Sequence, residues 1–138
     1  MSMAKSKTGA LIVLEQSVPL DNYAASGDLI DANINTRLIE NIFFKNSPLH
    51  DGAMIVAHNR IEAAGCILPV SHDSDVPRTL GLRHRSALGI AQATDALAIV
   101  VSEETGNISI AHRGKLTTRI SSTELEHRLN ALAISAAR

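Results

Sequence analysis

Residues 83–111, RHRSALGIAQATDALAIVVSEETGNISIA, change their hydrophobic pattern twice within one short stretch. The first part, from about Arg83 to Ala93, reads as a helix that buries Leu88 and Ala91. Leu97 to Val101 is a continuous apolar run suited to a strand buried on both faces, and Thr105-Gly106-Asn107 turns it back into a second strand, Ile108 to Ala111. A helix that feeds a central strand and then a hairpin points to a mixed sheet covered by helices.

The same signals extend in both directions. Upstream, Thr8 to Gln16 is a short apolar run that reads as another buried strand. Residues 20 to 26 form a short helix ended by Gly27, and Ile34, Leu38 and Ile42 recur every four positions to mark a helix that ends near Phe44, before Pro48. Gly52 to Ala57 and Ile61 to Val70 read as two strands joined at the polar break His58-Asn59-Arg60. Residues 72 to 77 are a polar loop.

Downstream, Gly114 makes a turn before the strand Leu116 to Ile120. Ser121 and Glu124 then stand at the spacing of a capping box, and Leu125, Leu129 and Leu132 give the last helix one apolar face. The expected fold class is α/β (mixed α+β): a single domain with a twisted, mixed-strand central sheet surrounded by helices.

Composition narrows the function classes. A chain of 138 residues with 45% apolar content can bury a core without staples. A formal charge of −1 disfavours a nucleic-acid polymer as partner, because such binding is driven by neutralising many phosphates. A small anion held by a few arginines is compatible with it. Cys66 is the only cysteine, which excludes an intrachain disulfide and a multi-cysteine zinc site, and its apolar surroundings make it a core filler. The longest purely apolar stretch, Ala96 to Val101, is far below the roughly 20 residues needed to cross a bilayer, and no signal-peptide pattern is present.

Three polar clusters stand at strand ends or helix starts. In the first, Asp51 lies where a loop enters a strand, beside the small residues Gly52 and Ala53. A carboxylate there can bind a divalent ion or accept a proton from a sugar hydroxyl, and it is equally a common turn aspartate. The adjacent pair His50-Asp51 also invites comparison with metal phosphohydrolases, but the helical context of those sites is missing. In the second, Arg83 and Arg85 flank His84 at a helix start, where cations are unfavourable unless an anion binds there. The plain alternative is a solvated basic turn. In the third, Ser102, Glu103 and Glu104 follow a central strand, the usual place for ligands in α/β sheets, or else are the polar approach to a hairpin. His72, Asp73 and Asp75 resemble a metal set but lie in a polar loop.

Taken in order, Pro48-Leu49-His50-Asp51-Gly52-Ala53, Ile67-Leu68-Pro69, Gly81-Leu82-Arg83-His84-Arg85-Ser86-Ala87-Leu88-Gly89 and Val101-Ser102-Glu103-Glu104-Thr105-Gly106 resemble the catalytic domain of bacterial diadenylate cyclases. The likeness is closest to the membrane-associated branch, whose catalytic domain follows transmembrane helices. It implies a catalytic domain over 8–132. Residues 1–7 are then an N-terminal segment, disordered or a cloning remnant, and 133–138 a C-terminal tail.

The resemblance further implies condensation of two ATP into cyclic di-AMP with release of two pyrophosphates, assisted by Mn²⁺, Mg²⁺ or Co²⁺. It assigns Asp51 to the ribose 3′-hydroxyl and the metal, with Gly52 and Ala53 allowing close approach of the nucleotide. Arg83, His84 and Arg85 are to hold the triphosphate, with Ser102 also on phosphate. Glu103 and Glu104 are to complete the nucleotide and metal site, with His50 as a further ligand beside Asp51 and Glu104, and the Leu68 backbone is to read the adenine edge. Two departures are Ile67, where several relatives carry an aromatic, and Leu82, where several carry threonine. The partners expected are ATP and a second copy of the chain in a face-to-face homodimer, at least a transient one. Membrane contact is expected only through helices outside this chain, and the domain is placed in the cytoplasm. The competing class is a non-catalytic module of the same fold that senses ATP or a dinucleotide.

Overall fold

The computed structural model describes residue 3 and residues 7–73, 76–77 and 80–136. Seven strands form one sheet: β1 (Ala10–Leu14), β2 (Asp28–Asn33), β3 (Ala53–Ala57), β4 (Arg60–Cys66), β5 (Leu97–Val101), β6 (Ile108–His112) and β7 (Lys115–Ile120). Four helices accompany them: α1 (Asp21–Ala24), α2 (Thr36–Ile42), α3 (Leu82–Ala93) and α4 (Ser122–Ala136). The spatial order is β2-β4-β3-β1-β5-β6-β7, with β1 parallel to β3 and every other neighbouring pair antiparallel. The expected mixed sheet with helices is the fold observed.

Both central strands, β1 and β5, are apolar on each face because each face is covered. On one side Leu11, Val13, Ala98 and Val100 pack with Ala87, Ile90 and Ala91 of α3. On the other Ala10, Ile12, Ile99 and Val101 pack with Ile42, Phe43 and Leu125, which brings in α2 and α4. Each fully buried Leu, Ile or Phe among these contributes about 1.5–3 kcal/mol by leaving water.

Local rules account for most boundaries. Asn35 caps α2 by accepting the Leu38 N–H at 3.2 Å, and the Ser121 hydroxyl accepts the Glu124 N–H at 3.1 Å to start α4. Glu124 itself pairs with Arg128 at 3.0 Å, one turn along the helix. Two tight turns use paired left-handed residues, His58 and Asn59 between β3 and β4, and Arg113 and Gly114 between β6 and β7.

Several expectations change. β2 is a strand where none was expected: it is an edge strand with a mostly exposed face, so its sequence, DLIDAN, lacks a clean alternation. The strand expected to run from Ile61 to Val70 stops at Cys66, and the chain then crosses α3 so closely that a Cβ on Gly89 would lie 1.9 Å from the Pro69 carbonyl oxygen. Met3, inside the segment read as disordered, is buried in the core, and its carbonyl accepts the Thr8 N–H at 2.8 Å. Helix α4 continues to Ala136, into the stretch read as a tail. Among the described residues no helix is long and apolar enough to cross a membrane. Of the metal-like trio in the polar loop, Asp75 lies outside the described residues.

Candidate active site

The starts of β1 and β3, the end of β5 and the first turn of α3 meet at one edge of the sheet. A cavity of about 1190 Å³ opens there, reached by Asp51, Gly52, Leu68, Arg83, His84, Ser102, Glu103 and Glu104. Residues more than fifty positions apart in sequence are thus brought together by the sheet order.

Asp51 occupies the turn before β3, with its side chain 85% exposed. Beside it, His50 Nδ1 lies 2.8 Å from the Ser47 carbonyl oxygen, and Nε2 lies 3.1 Å from Asp51 Oδ1. A carbonyl only accepts, so Nδ1 carries the ring proton. Nε2 in that tautomer turns a lone pair toward the Asp51 carboxylate, a contact that becomes favourable when a cation sits between them. That nitrogen and oxygen donor set suits a divalent cation such as Mn²⁺ or Co²⁺.

The expected third ligand does not join this pair. Among the described residues the group of three His or acidic side chains with donors within 4.8 Å of one another is Glu15, His58 and Glu62, and not His50, Asp51 and Glu104. His58 stands at the other end of β3, roughly 20 Å from Asp51 at about 3.3 Å per residue, so that group is no part of this cavity. Glu103, which the sequence reading also placed at the metal and nucleotide site, lines a smaller cavity of about 690 Å³ together with His50 and Arg83.

Arg83 is the wall between the two cavities. Its side chain is only 18% exposed, Nη1 lies 3.6 Å from Glu103 Oε1, Nη2 donates a long 3.4 Å bond to the His50 carbonyl, and Nε is buried with no partner. A buried donor left unmade is costly, so the guanidinium is poised for an anion. Gly9 makes room for it, since a Cβ there would come within 2.8 Å of Nη1. Sequence reasoning missed Gly9; its only signal was a glycine placed at the mouth of a buried strand.

Helix α3 has no side-chain cap at Gly81, which leaves first-turn N–H groups available to the same anion. Next along it, His84 is buried and lines the cavity. Burial, and then the Arg83 charge, push its pKa below the ordinary histidine value, so it is neutral at pH 7. Arg85 points elsewhere. Residues two apart on a helix face opposite sides, and Arg85 donates to the carbonyls of Ser71 and Asp73 at 3.3 and 3.4 Å. It ties down the segment after β4 instead of lining the cavity.

The end of β5 is a built turn. Ser102 Oγ accepts the N–H groups of Glu104 and Thr105 at 3.2 and 3.3 Å, which leaves its hydroxyl hydrogen to donate outward. Gly106, with φ +76°, closes the turn back to the Ser102 carbonyl. At the opposite end of the cavity the Leu68 side chain is buried, while its backbone N–H and C=O form no hydrogen bond among the described residues. Ile67 beside it is 73% exposed at the rim. Gly52 has a more immediate reason than ligand approach: a Cβ there would lie 2.4 Å from the backbone of Gly65 in β4.

Comparison with known proteins shows the family and the fold. Residues 1–116 match the family model described as DAC, DisA bacterial checkpoint controller nucleotide-binding. The chain is 43% identical over 129 residues to the cyclic di-AMP synthase CdaA of Bacillus subtilis, covering 94% of this chain and 47% of that protein. It is 46% identical over 123 residues to a diadenylate cyclase of Listeria monocytogenes, covering 89% of this chain and 45% of that one. Among solved structures, a double variant of DacA from Staphylococcus aureus superposes with a TM-score of 0.91 at 44% identity, covering 93% of this chain and 85% of that one. The chain spans about half the length of the curated relatives it matches.

Proposed function

The chain belongs to the DAC family of nucleotide-binding domains, and on that premise we propose that it is a diadenylate cyclase domain, condensing two ATP into cyclic di-AMP and two pyrophosphates. The observation that carries this reading is the single cavity shared by the exposed Asp51 carboxylate and the half-satisfied Arg83 guanidinium. An acid at one point and an incompletely bonded guanidinium at the next suit a sugar hydroxyl and a phosphate chain.

In this reading the adenine lies against Leu68, whose N–H and C=O, without a partner among the described residues, read its polar edge, with Ile67 over the rim. Asp51 then meets the ribose, and Arg83, the first turn of α3 and the Ser102 hydroxyl hold the phosphates. The role assigned to Arg85 is positioning, through Ser71 and Asp73. His50 and Asp51 would hold the divalent ion, with Glu103 and Glu104 at its margin; when bound, such an ion lowers the hydroxyl pKa and neutralises phosphate charge.

The reaction joins the 3′-oxygen of one nucleotide to the α-phosphorus of the other. The bond from that phosphorus to the bridging oxygen breaks, pyrophosphate leaves opposite, and the hydroxyl proton passes to Asp51. Protein catalysis of such transfers is largely positioning and charge stabilisation. One domain presents one nucleotide, so two copies related by a two-fold axis supply the mutual attacks, and the exposed Asp51 leaves the sugar open to a facing partner. ATP as substrate puts the domain on the cytoplasmic side of any membrane that the whole protein meets.

Incubation with ATP and Mn²⁺, with products separated by chromatography, tests the proposal. Cyclic di-AMP and pyrophosphate are the expected products, at a specific activity that rises with protein concentration. Intact ATP would point to a sensing module, and ADP with phosphate to a hydrolase; either refutes the reading.

A further inference from the structure

The large cavity does not end at the phosphate-facing residues of α3 and β5. It continues past β6 to Thr118 and Arg119 on β7, the last strand of the sheet. From β4 to β7 the order crosses five strand spacings, about 24 Å at roughly 4.8 Å each. If adenine sits beyond β4 and the sugar at the start of β3, the phosphate chain runs toward β6 and β7.

Arg119 has an unusual backbone for that place. Ile108 pairs with Ile120 and Ile110 with Thr117, so two steps on β6 match three on β7, and the extra residue makes a bulge at Thr118 and Arg119. Arg119 there has φ +54°, a left-handed conformation that a residue with a Cβ disfavours. Arg113 adopts the same φ in a tight turn that requires it. Asp31 is left-handed inside β2, but its carboxylate and carbonyl both bind Arg60. The Arg119 side chain makes no hydrogen bond or ion pair among the described residues. Strain of this kind persists where the surroundings impose it, often at ligand sites, and bulges serve to re-aim side chains.

We propose that the β7 bulge builds a distal phosphate subsite, in which Arg119 contacts the terminal phosphate of a nucleoside triphosphate. This rests on the nucleotide reading of the cavity given above. Arg83 would hold the inner part of the chain and Arg119 its end, so the domain would distinguish a triphosphate from a monophosphate by a residue outside the family motifs quoted in the sequence.

Calorimetric titration of the full chain with α,β-methylene-ATP and with AMP, in the presence of Mg²⁺, tests the subsite. Arg119→Ala should weaken the triphosphate analogue about three- to five-fold, the size of one solvent-screened ion pair, and leave AMP unchanged. Arg119→Gly should show the same loss at a Tm no lower than wild type, because glycine adopts φ +54° freely, which separates lost contact from damaged folding. Unchanged affinity for the analogue in both variants, or an equal loss for AMP, overturns the subsite alone. A wild-type protein that binds neither nucleotide overturns the nucleotide reading and the subsite with it.

Discussion

Replacing Gly9 by alanine adds a single methyl group at a residue that is in no motif, yet it should disable the site. Gly9 is not left-handed, so alanine fits its backbone and the effect is purely steric. The new Cβ would stand 2.8 Å from Arg83 Nη1, 2.9 Å from Cζ and 3.1 Å from Glu103 Cβ. Ordinary contacts begin near 3.5 Å, so the guanidinium must retreat by on the order of 0.7 Å. A charge-assisted hydrogen bond is worth about 1.5–3 kcal/mol, and misplacing a positioning group by about 1 Å can cost about a hundredfold in rate. The expected result is a fall in kcat/KM for cyclic di-AMP formation of about ten- to a hundredfold, with Tm within about 3 °C of wild type. A double-mutant cycle isolates the cause: in the Arg83→Ala background the added methyl should do nothing further. Full activity of Gly9→Ala, or a large additional loss in the double variant, would refute the reasoning.

Other substitutions separate chemistry from architecture. Asp51→Asn should abolish turnover by at least a hundredfold with Tm unchanged, since the side chain is exposed; activity within a few-fold of wild type in a product assay would remove Asp51 from the reaction. Arg85→Ala should lower Tm more than it lowers affinity for the triphosphate, because its partners are the Ser71 and Asp73 carbonyls; calorimetry showing the reverse would return it to the phosphates. Neutral burial of His84 lowers its folded pKa, so unfolded histidine binds more protons below about 6.5 and stability falls as pH drops through that value. His112, lowered by burial and then by Arg113 and Arg128, adds in the same direction, and the loss of Tm from pH 7 to 5.5 should shrink in His84→Gln. Cys66, its thiol pushed up to about 11 by burial and then by the Asp28 charge, should resist iodoacetamide at pH 8 until the protein unfolds; prompt labelling of the native chain would contradict its packing.

The strands with two buried faces were legible because their apolar runs have no competing interpretation. β2 was not, since an edge strand paired on one side needs no continuous apolar face. At the site, the clusters were legible as residue types, while side-chain directions depended on geometry that adjacency conceals. Arg83 and Arg85 look equivalent in a motif, but the helix sends one to the cavity and the other to the Ser71 and Asp73 carbonyls. Gly52 looks like a concession to a ligand and is first a concession to Gly65. Gly9 carries little local signal and Arg119 none, because what matters about each is its surroundings, brought near by sheet order.

That sheet order also dictates how the molecule can be made. β1, the first of the seven strands in chain order, lies at the centre, and its second neighbour is β5, with Ala10 opposite Val101. Until the ribosome has released residues up to Val101, β1 has one open edge, and the apolar side chains that α3 will cover remain wet. Contacts this distant in sequence form slowly because a long loop must close first. Nascent or truncated chains ending before residue 97 should therefore be the aggregation-prone species of this protein, recruiting one another through the edge that β5 later seals.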